Sequence, residues 1–143
     1  MTLHLIKLSV GSESPTDLAD WQAQRLKGLK RQREKPELIH VTRQTPKRAE
    51  ELLAGGFIYW VIGGWICARQ RLLELRPLTR DGVPHCGLVL DPELIRTTPR
   101  QHRPFQGWRY LPASDAPPDL PRGAHPDDIP EALLRELSAL GLV

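Results

Sequence analysis

The amino-acid sequence predicts an α+β fold, a small and strongly bent β-barrel flanked by about three helices, and three observations carry that expectation. Strand-like segments follow one another from Phe57 to Thr97, joined by short turn signals. The longest, Trp65–Leu78, changes the parity of its apolar residues partway: Ile66, Ala68 and Leu72 share one face, Leu73 and Leu75 the other. A strand whose buried face switches contains a bulge or a sharp coil, the device by which small barrels turn corners. Helix-start signatures stand at Ser14-Pro15, at Thr45-Pro46 and at Asp128 with Pro130 and Glu131.

In chain order, residues 2–9 alternate with apolar side chains on both faces, which marks a mostly buried strand. Leu3, Leu5 and Lys7 fall on one face, His4, Ile6 and Leu8 on the other. Ser14 caps a helix that places Leu18, Trp21, Gln22 and Leu26 on one inward stripe and ends near Gly28. Residues 29–36 are basic, lack apolar periodicity and read as a loop. Leu38–Arg43 is a short strand. Thr45 caps a helix from Pro46 to Ala54, which Gly55-Gly56 ends. Phe57–Ile62, apolar on both faces, is a central strand, and Gly63-Gly64 turns it into the long strand from Trp65. Arg80-Asp81-Gly82 is the next turn, Val83–Leu90 the next strand, and Leu94–Thr97 a last short one. Residues 99–126 hold seven prolines and form a belt around the barrel. The final helix spans 128–140, with Leu133, Leu134, Leu137 and Leu140 as its apolar stripe.

Length and composition fit one domain over residues 1–143, with its barrel core at 46–111; 40% of residues are apolar and 26% charged. No apolar run is long enough to span a membrane, and the alternating N-terminus is not a signal peptide, so a cytoplasmic protein is expected. Cys67 and Cys86 are read as buried free thiols on neighbouring strands. The net charge of +3 is unevenly placed. Residues 22–48 carry nine Lys/Arg against two acids, and residues 113–143 carry two against six. The basic part, with Arg25, Lys27, Lys30, Arg31, Arg33, Lys35, Lys47 and Arg48, offers attraction to a nucleic-acid backbone. The competing reading is a solvated surface.

No phosphate-binding glycine loop, nucleophile elbow or paired metal-ligand spacing occurs, so neither a metal nor another cofactor is expected. What stands out is the density of aromatic and forked side chains in residues 57–111, which hold three of the four tryptophans and both tyrosines. Trp60, Trp65 and Trp108 offer flat stacking faces. Arg69, Arg71 and Arg109 offer phosphate forks, and Gln70 and Gln106 can read a base edge. The expectation is a recess at the barrel mouth, closed by Trp108 beside Trp60 or Trp65, with Arg109 or Gln106 aimed into it. The bland alternative makes Tyr59 and Trp60 core and Trp108 a lid.

The whole chain resembles an uncharacterised, mostly alphaproteobacterial family. The marks are Leu3-His4-Leu5-Ile6-Lys7-Leu8, Pro46-Lys47-Arg48, Tyr59-Trp60-Val61-Ile62, Arg69-Gln70-Arg71-Leu72-Leu73, Leu90-Asp91-Pro92-Glu93-Leu94 and residues 104–111. That resemblance implies no activity. Residues 46–111 also resemble, in pattern, the PUA-related barrels of the ASCH and EVE type: a short helix ending in glycine, a central strand, then a long coiled strand. Gly63-Gly64 stand where the EVE pattern has a lysine. The resemblance implies RNA or a modified nucleobase as ligand. The expected function is therefore an RNA or modified-nucleotide binding module, RNA in preference to DNA. An enzyme acting on a small anionic or nucleoside-like substrate and a protein-interaction adaptor are the alternatives. A polar cavity holding Gln70 with Asp91 or Glu93 favours the enzyme, an open basic groove favours RNA, and a flat apolar patch favours the adaptor.

Overall fold

The computed structural model describes residues 2–120; the expected helix over 128–140 and the end of the proline-rich belt lie outside the described residues. Strand β1 (Leu3–Leu8) leads to helix α1 (Pro15–Arg31), strand β2 (Leu38–Thr42) and helix α2 (Ala49–Leu53). Strands β3 (Phe57–Ile62), β4 (Trp65–Arg80), β5 (Val83–Leu90), β6 (Ile95–Gln101) and β7 (Trp108–Pro112) follow. All seven join in one sheet of order β2-β5-β4-β3-β1-β7, with β6 on β4. Among the described residues the sheet does not close. β2 and β7 are the two ends of the strand order, so the expected barrel is an open, bent sheet.

The bend comes from β4. Its pairing with β3 slips between Trp60 and Val61, leaving Cys67 as the extra residue, and its pairing with β5 slips between Leu72 and Glu74, leaving Leu73. Leu72 and Leu75 both turn to the core, the parity change legible in the sequence, but Leu73, expected to share the face of Leu75, is the bulged residue and half exposed. The first half of β4 is thereby laid between β3 and β6, and the second half along β5.

The two faces of the β1–β3–β7 part bury different sets. One face brings Leu3, Leu5, Ile58, Trp60 and Ala68 against Leu18 of α1, Leu52 of α2, and Leu88 and Leu90 of β5. The opposite face collects Ile6, Tyr59, Val61, Ile66, Phe105 and Leu111. Cys67 and Cys86, on the paired strands β4 and β5, are buried, and neither forms a disulfide.

Ser14 caps α1 as expected, its hydroxyl accepting from Asp17 N at 3.1 Å with Pro15 at the first turn. The helix continues past Gly28 to Arg31. A glycine inside a helix costs only about 1 kcal/mol, and Lys30 and Arg31 suit the negative end of the dipole. Trp21 does not share the inward stripe expected of it. It lies about a quarter turn off the Leu18–Gln22–Leu26 line and is 60% exposed. Helix α2 is shorter than expected and Thr45 is not its cap: Arg48 holds the cap position with no side-chain cap bond. Gly56 after it admits no other residue, because a Cβ there would collide with the carbonyl oxygens of Leu52 and Leu3. Two strands replace parts of the expected belt. β6 runs through Pro99, tolerated because the proline falls where the pairing with β4 slips, between Ile66–Arg100 and Ala68–Arg96. β7 pairs antiparallel with β1. The belt from Ala113 to Leu120 folds back along β6, with Thr98 N bonded to Pro118 O and Leu120 N to Arg96 O.

Candidate functional site

The seam between the unpaired edges of β2 and β7 is spanned by side chains instead of a backbone ladder. The indole Nε1 of Trp108 donates to Gln44 O at 2.8 Å, just past β2. The Tyr110 hydroxyl accepts from the backbone N–H of Lys47 at 2.9 Å and of Arg48 at 3.2 Å, serving the start of α2 in place of an N-cap. The two rings meet edge-on at 4.9 Å. Arg43, Thr45 and Lys47 complete, with Trp108 and Tyr110, a depression of about 490 Å³.

Register sets what lies deeper. Lys7 on β1 is opposite Trp108 of β7 on one side and Trp60 of β3 on the other, so the three side chains form one row on one face. Lys7 is half-buried, which lowers its pKa, and among the described residues it makes no ion pair. His40 of β2 faces this row. Its ring stands edge-on to Trp60 at 5.2 Å, and burial, then the Lys7 charge, push its pKa down to about 4. His40 is therefore neutral at pH 7.

Beyond Trp60 the row opens into a cleft of about 430 Å³ between α1 and β2. Trp60 and His40 line it with Leu18 and Ile39, and Trp21 and Arg25, one helical turn apart, stand on its α1 side. Trp21 is 60% exposed, so a flat aromatic side chain stands at the rim of this concave surface. Arg25 is exposed, and Asp17 completes the rib a turn earlier.

Gln70, expected to read a base edge, is fully buried and uses every hydrogen-bonding position it has. Its Oε1 accepts from Trp60 Nε1 and from Gln22 Nε2, each at 2.9 Å. Its Nε2 donates to Gln22 Oε1 at 2.8 Å and to Asp91 O at 3.1 Å. It fixes the floor of the cleft from beneath and offers a ligand nothing. Trp60, 2% exposed, presents only an edge of that floor.

The expected arginine forks are on the other side of the sheet. Arg109 pairs across to Ile6, Arg69 to Tyr59 and Arg71 to Phe57, all on the face opposite the Trp108–Lys7–Trp60 row. Arg69 is held by Asp119 at 2.7 and 2.9 Å and lies 3.8 Å from the Phe57 ring centroid. The Arg109 guanidinium sits 5.0 Å over the Phe105 ring. Trp65 stands at the β3–β4 hairpin and Gln106 in the loop before β7, and neither lines the two depressions described here. Of the expected recess the structure brings together Trp60 and Trp108, with Gln70 beneath, and separates Arg69, Arg71 and Arg109 from them.

The basic residues divide as well. Arg25 lines the cleft and Lys47 the seam depression. Lys27, Lys30, Arg31, Arg33 and Lys35 are exposed on the end of α1 and the loop after it, and Arg48 is paired with Glu51. The residues that sequence reasoning passed over are Lys7, His40, Trp21 as an exposed face, and Arg43. Lys7 was marked by its parity: a lysine in line with Leu3 and Leu5 points where those leucines point.

Among the described residues no group of His, Cys, Asp and Glu could hold a metal ion, and no helix is long and apolar enough to cross a membrane. Residues 5–143 match the model of a family described as a protein of unknown function, DUF1489. No curated protein and no solved structure matches the chain.

Proposed function

We propose, for a chain that belongs to the DUF1489 family, that it binds a flat anionic ligand of the nucleotide class, a base of RNA or a modified nucleotide, in the cleft between α1 and β2. The observation that carries this reading is Trp21, an indole 60% exposed over a cleft of about 430 Å³, with Arg25 one turn on. Binding sites for small ligands start near 300 Å³, so the cleft has room for a nucleobase and its sugar. Trp21 supplies the stacking face, and Arg25 and the half-buried Lys7 supply the positive field for a phosphate. The rest of the basic α1 end adds nonspecific attraction to a longer strand.

The two other classes draw less support. Gln70 is saturated by Trp60, Gln22 and Asp91 O, and the Asp91 carboxylate accepts from Glu93 N at 2.9 Å, so the polar cavity that would favour an enzyme is not formed by those residues. The described end of the belt is bonded along β6, which takes that part of the proline-rich segment from an adaptor role. A PUA-like relationship fits the α2–glycine–β3 junction and the long bent β4, and a cytoplasmic location fits a ligand of this class.

The test is titration calorimetry of the full chain with AMP, UMP and a short single-stranded RNA at low salt. Binding is expected, and Trp21→Ala is expected to weaken it by about five- to 150-fold, the loss of one stacked base, while leaving the fold intact. No heat with any of the three ligands from folded protein, or unchanged affinity in Trp21→Ala, overturns the proposal.

A further inference from the structure

On the footing of that reading, we infer that the ligand is a single strand of RNA spanning at least two nucleotides. It lies along the seam with one base in the α1 cleft, a phosphate at Lys7, and the next base against Trp108. The two depressions share one row of side chains. Trp60 lines the first, Trp108 the second, and Lys7 stands between them on β1. Two strand spacings separate the outer members, about 10 Å. β2 gives the same span independently: Ile39 and His40 border the cleft and Arg43 to Thr45 border the seam depression, three to four residues or about 10 Å along an extended strand. A single strand covers that distance in about two nucleotide steps.

Among the described residues the cations along the path have no carboxylate partner, whereas several elsewhere do. Arg69 is paired with Asp119, Arg48 with Glu51, and Arg76 with Glu37 and Glu74. Arg25, Lys7 and Lys47 make no ion pair among the described residues, and Arg43 donates only to the uncharged Pro84 O. Four cations thus run from the cleft through the seam, and the one acid among the residues lining the two depressions is Asp17, whose carboxylate accepts from Glu13 N. The half-buried Lys7 ammonium lacks part of its hydration, and its lowered pKa reflects that loss; a phosphate restores what burial removed. The aromatic faces set the strandedness. Trp21 is exposed and Trp108 partly so, and bases reach them only when splayed out, which a duplex does not allow.

The experiment compares UMP with the uridine trinucleotide on the full chain, by calorimetry across a salt series. The trinucleotide is expected to bind at least tenfold tighter, with a steeper fall against salt because more phosphates release counterions. Lys7→Gln is expected to weaken both ligands. Lys47→Gln, whose exposed side chain makes no hydrogen bond or ion pair among the described residues, is expected to weaken the trinucleotide several-fold and leave UMP unchanged. Trp108→Ala removes a bond across the seam, so Lys47→Gln is the variant on which the inference rests. Equal affinity for UMP and the trinucleotide, or a trinucleotide affinity untouched by Lys47→Gln, overturns the two-site track and leaves the one-base cleft standing. Failure of both ligands to bind overturns the track and the cleft together.

Discussion

Replacing Gln70 with leucine tests whether this side chain serves the fold or the ligand. Leucine keeps most of the volume and all of the burial, so the cavity term is small. Four hydrogen bonds are lost, and their partners are the Trp60 indole N–H, the Gln22 amide and the Asp91 carbonyl. Each buried polar group left unpaired costs about 1–3 kcal/mol. Gln22 sits on α1 at the edge of the cleft and can turn toward water, so it counts least. Trp60 Nε1 and Asp91 O remain, and the loss comes to about 3–4 kcal/mol, a large part of the 5–15 kcal/mol that holds a typical domain together. Urea unfolding followed by fluorescence and circular dichroism reads this as a lower midpoint at unchanged slope. The double variant with Gln22→Leu is expected to be less unstable than the sum of the two singles, because the pair of amides is then removed together. A loss below about 1 kcal/mol for Gln70→Leu would refute the reasoning and return Gln70 to the list of side chains waiting for a ligand.

Two further perturbations follow from the same geometry. His40, with a pKa near 4 in the fold and near 6.5 when unfolded, is bound to a proton only in the unfolded chain between those values, so stability rises with pH across that window. Acidification from pH 7 to 4 is expected to cost about 3 kcal/mol through His40, and His40→Gln is expected to flatten that part of the stability–pH curve; an equal slope in the variant contradicts the assignment. Tyr110→Phe removes the acceptor of two backbone N–H groups that water can also serve, so the expected cost is about 1 kcal/mol. Hydrogen exchange of the Lys47 and Arg48 amides should accelerate, and unchanged protection there would show that the hydroxyl does not latch the seam.

The sequence shows local structure well and convergence poorly. The Ser14 cap, the Gly63-Gly64 hairpin and the phase change in β4 are all readable, because each rests on residues within a few positions of one another. The start of α2 is not, since the group that serves it is the Tyr110 hydroxyl, more than sixty residues away. The same limit applied to the site. Aromatic and arginine residues are dense between Phe57 and Leu111, but Arg69 and Gln70 are neighbours on a strand, as are Trp108 and Arg109, and neighbours point to opposite faces. Density therefore suggested a recess that parity forbids. Parity also offered the correction, because Lys7 falls in phase with Leu3 and Leu5. What it could not offer is the parallel pairing of β1 with β3 and the antiparallel pairing with β7, which put Lys7 between two tryptophans. Trp21 misled for a milder reason: at the border of an apolar stripe, a quarter turn decides between core and cleft.

The most direct test of the nucleotide cleft is an NMR titration of ¹⁵N-labelled protein with UMP, following the four tryptophan indole N–H signals, assigned by single Trp→Phe variants. The account predicts a saturable shift of the Trp21 signal, a smaller one at Trp60, and backbone shifts confined to α1, β2 and the Lys7 end of β1, with Arg69, Arg71 and Arg109 unmoved. Saturable shifts centred on those arginines across the sheet, or a Trp21 signal that stays in place while the ligand binds, would contradict it.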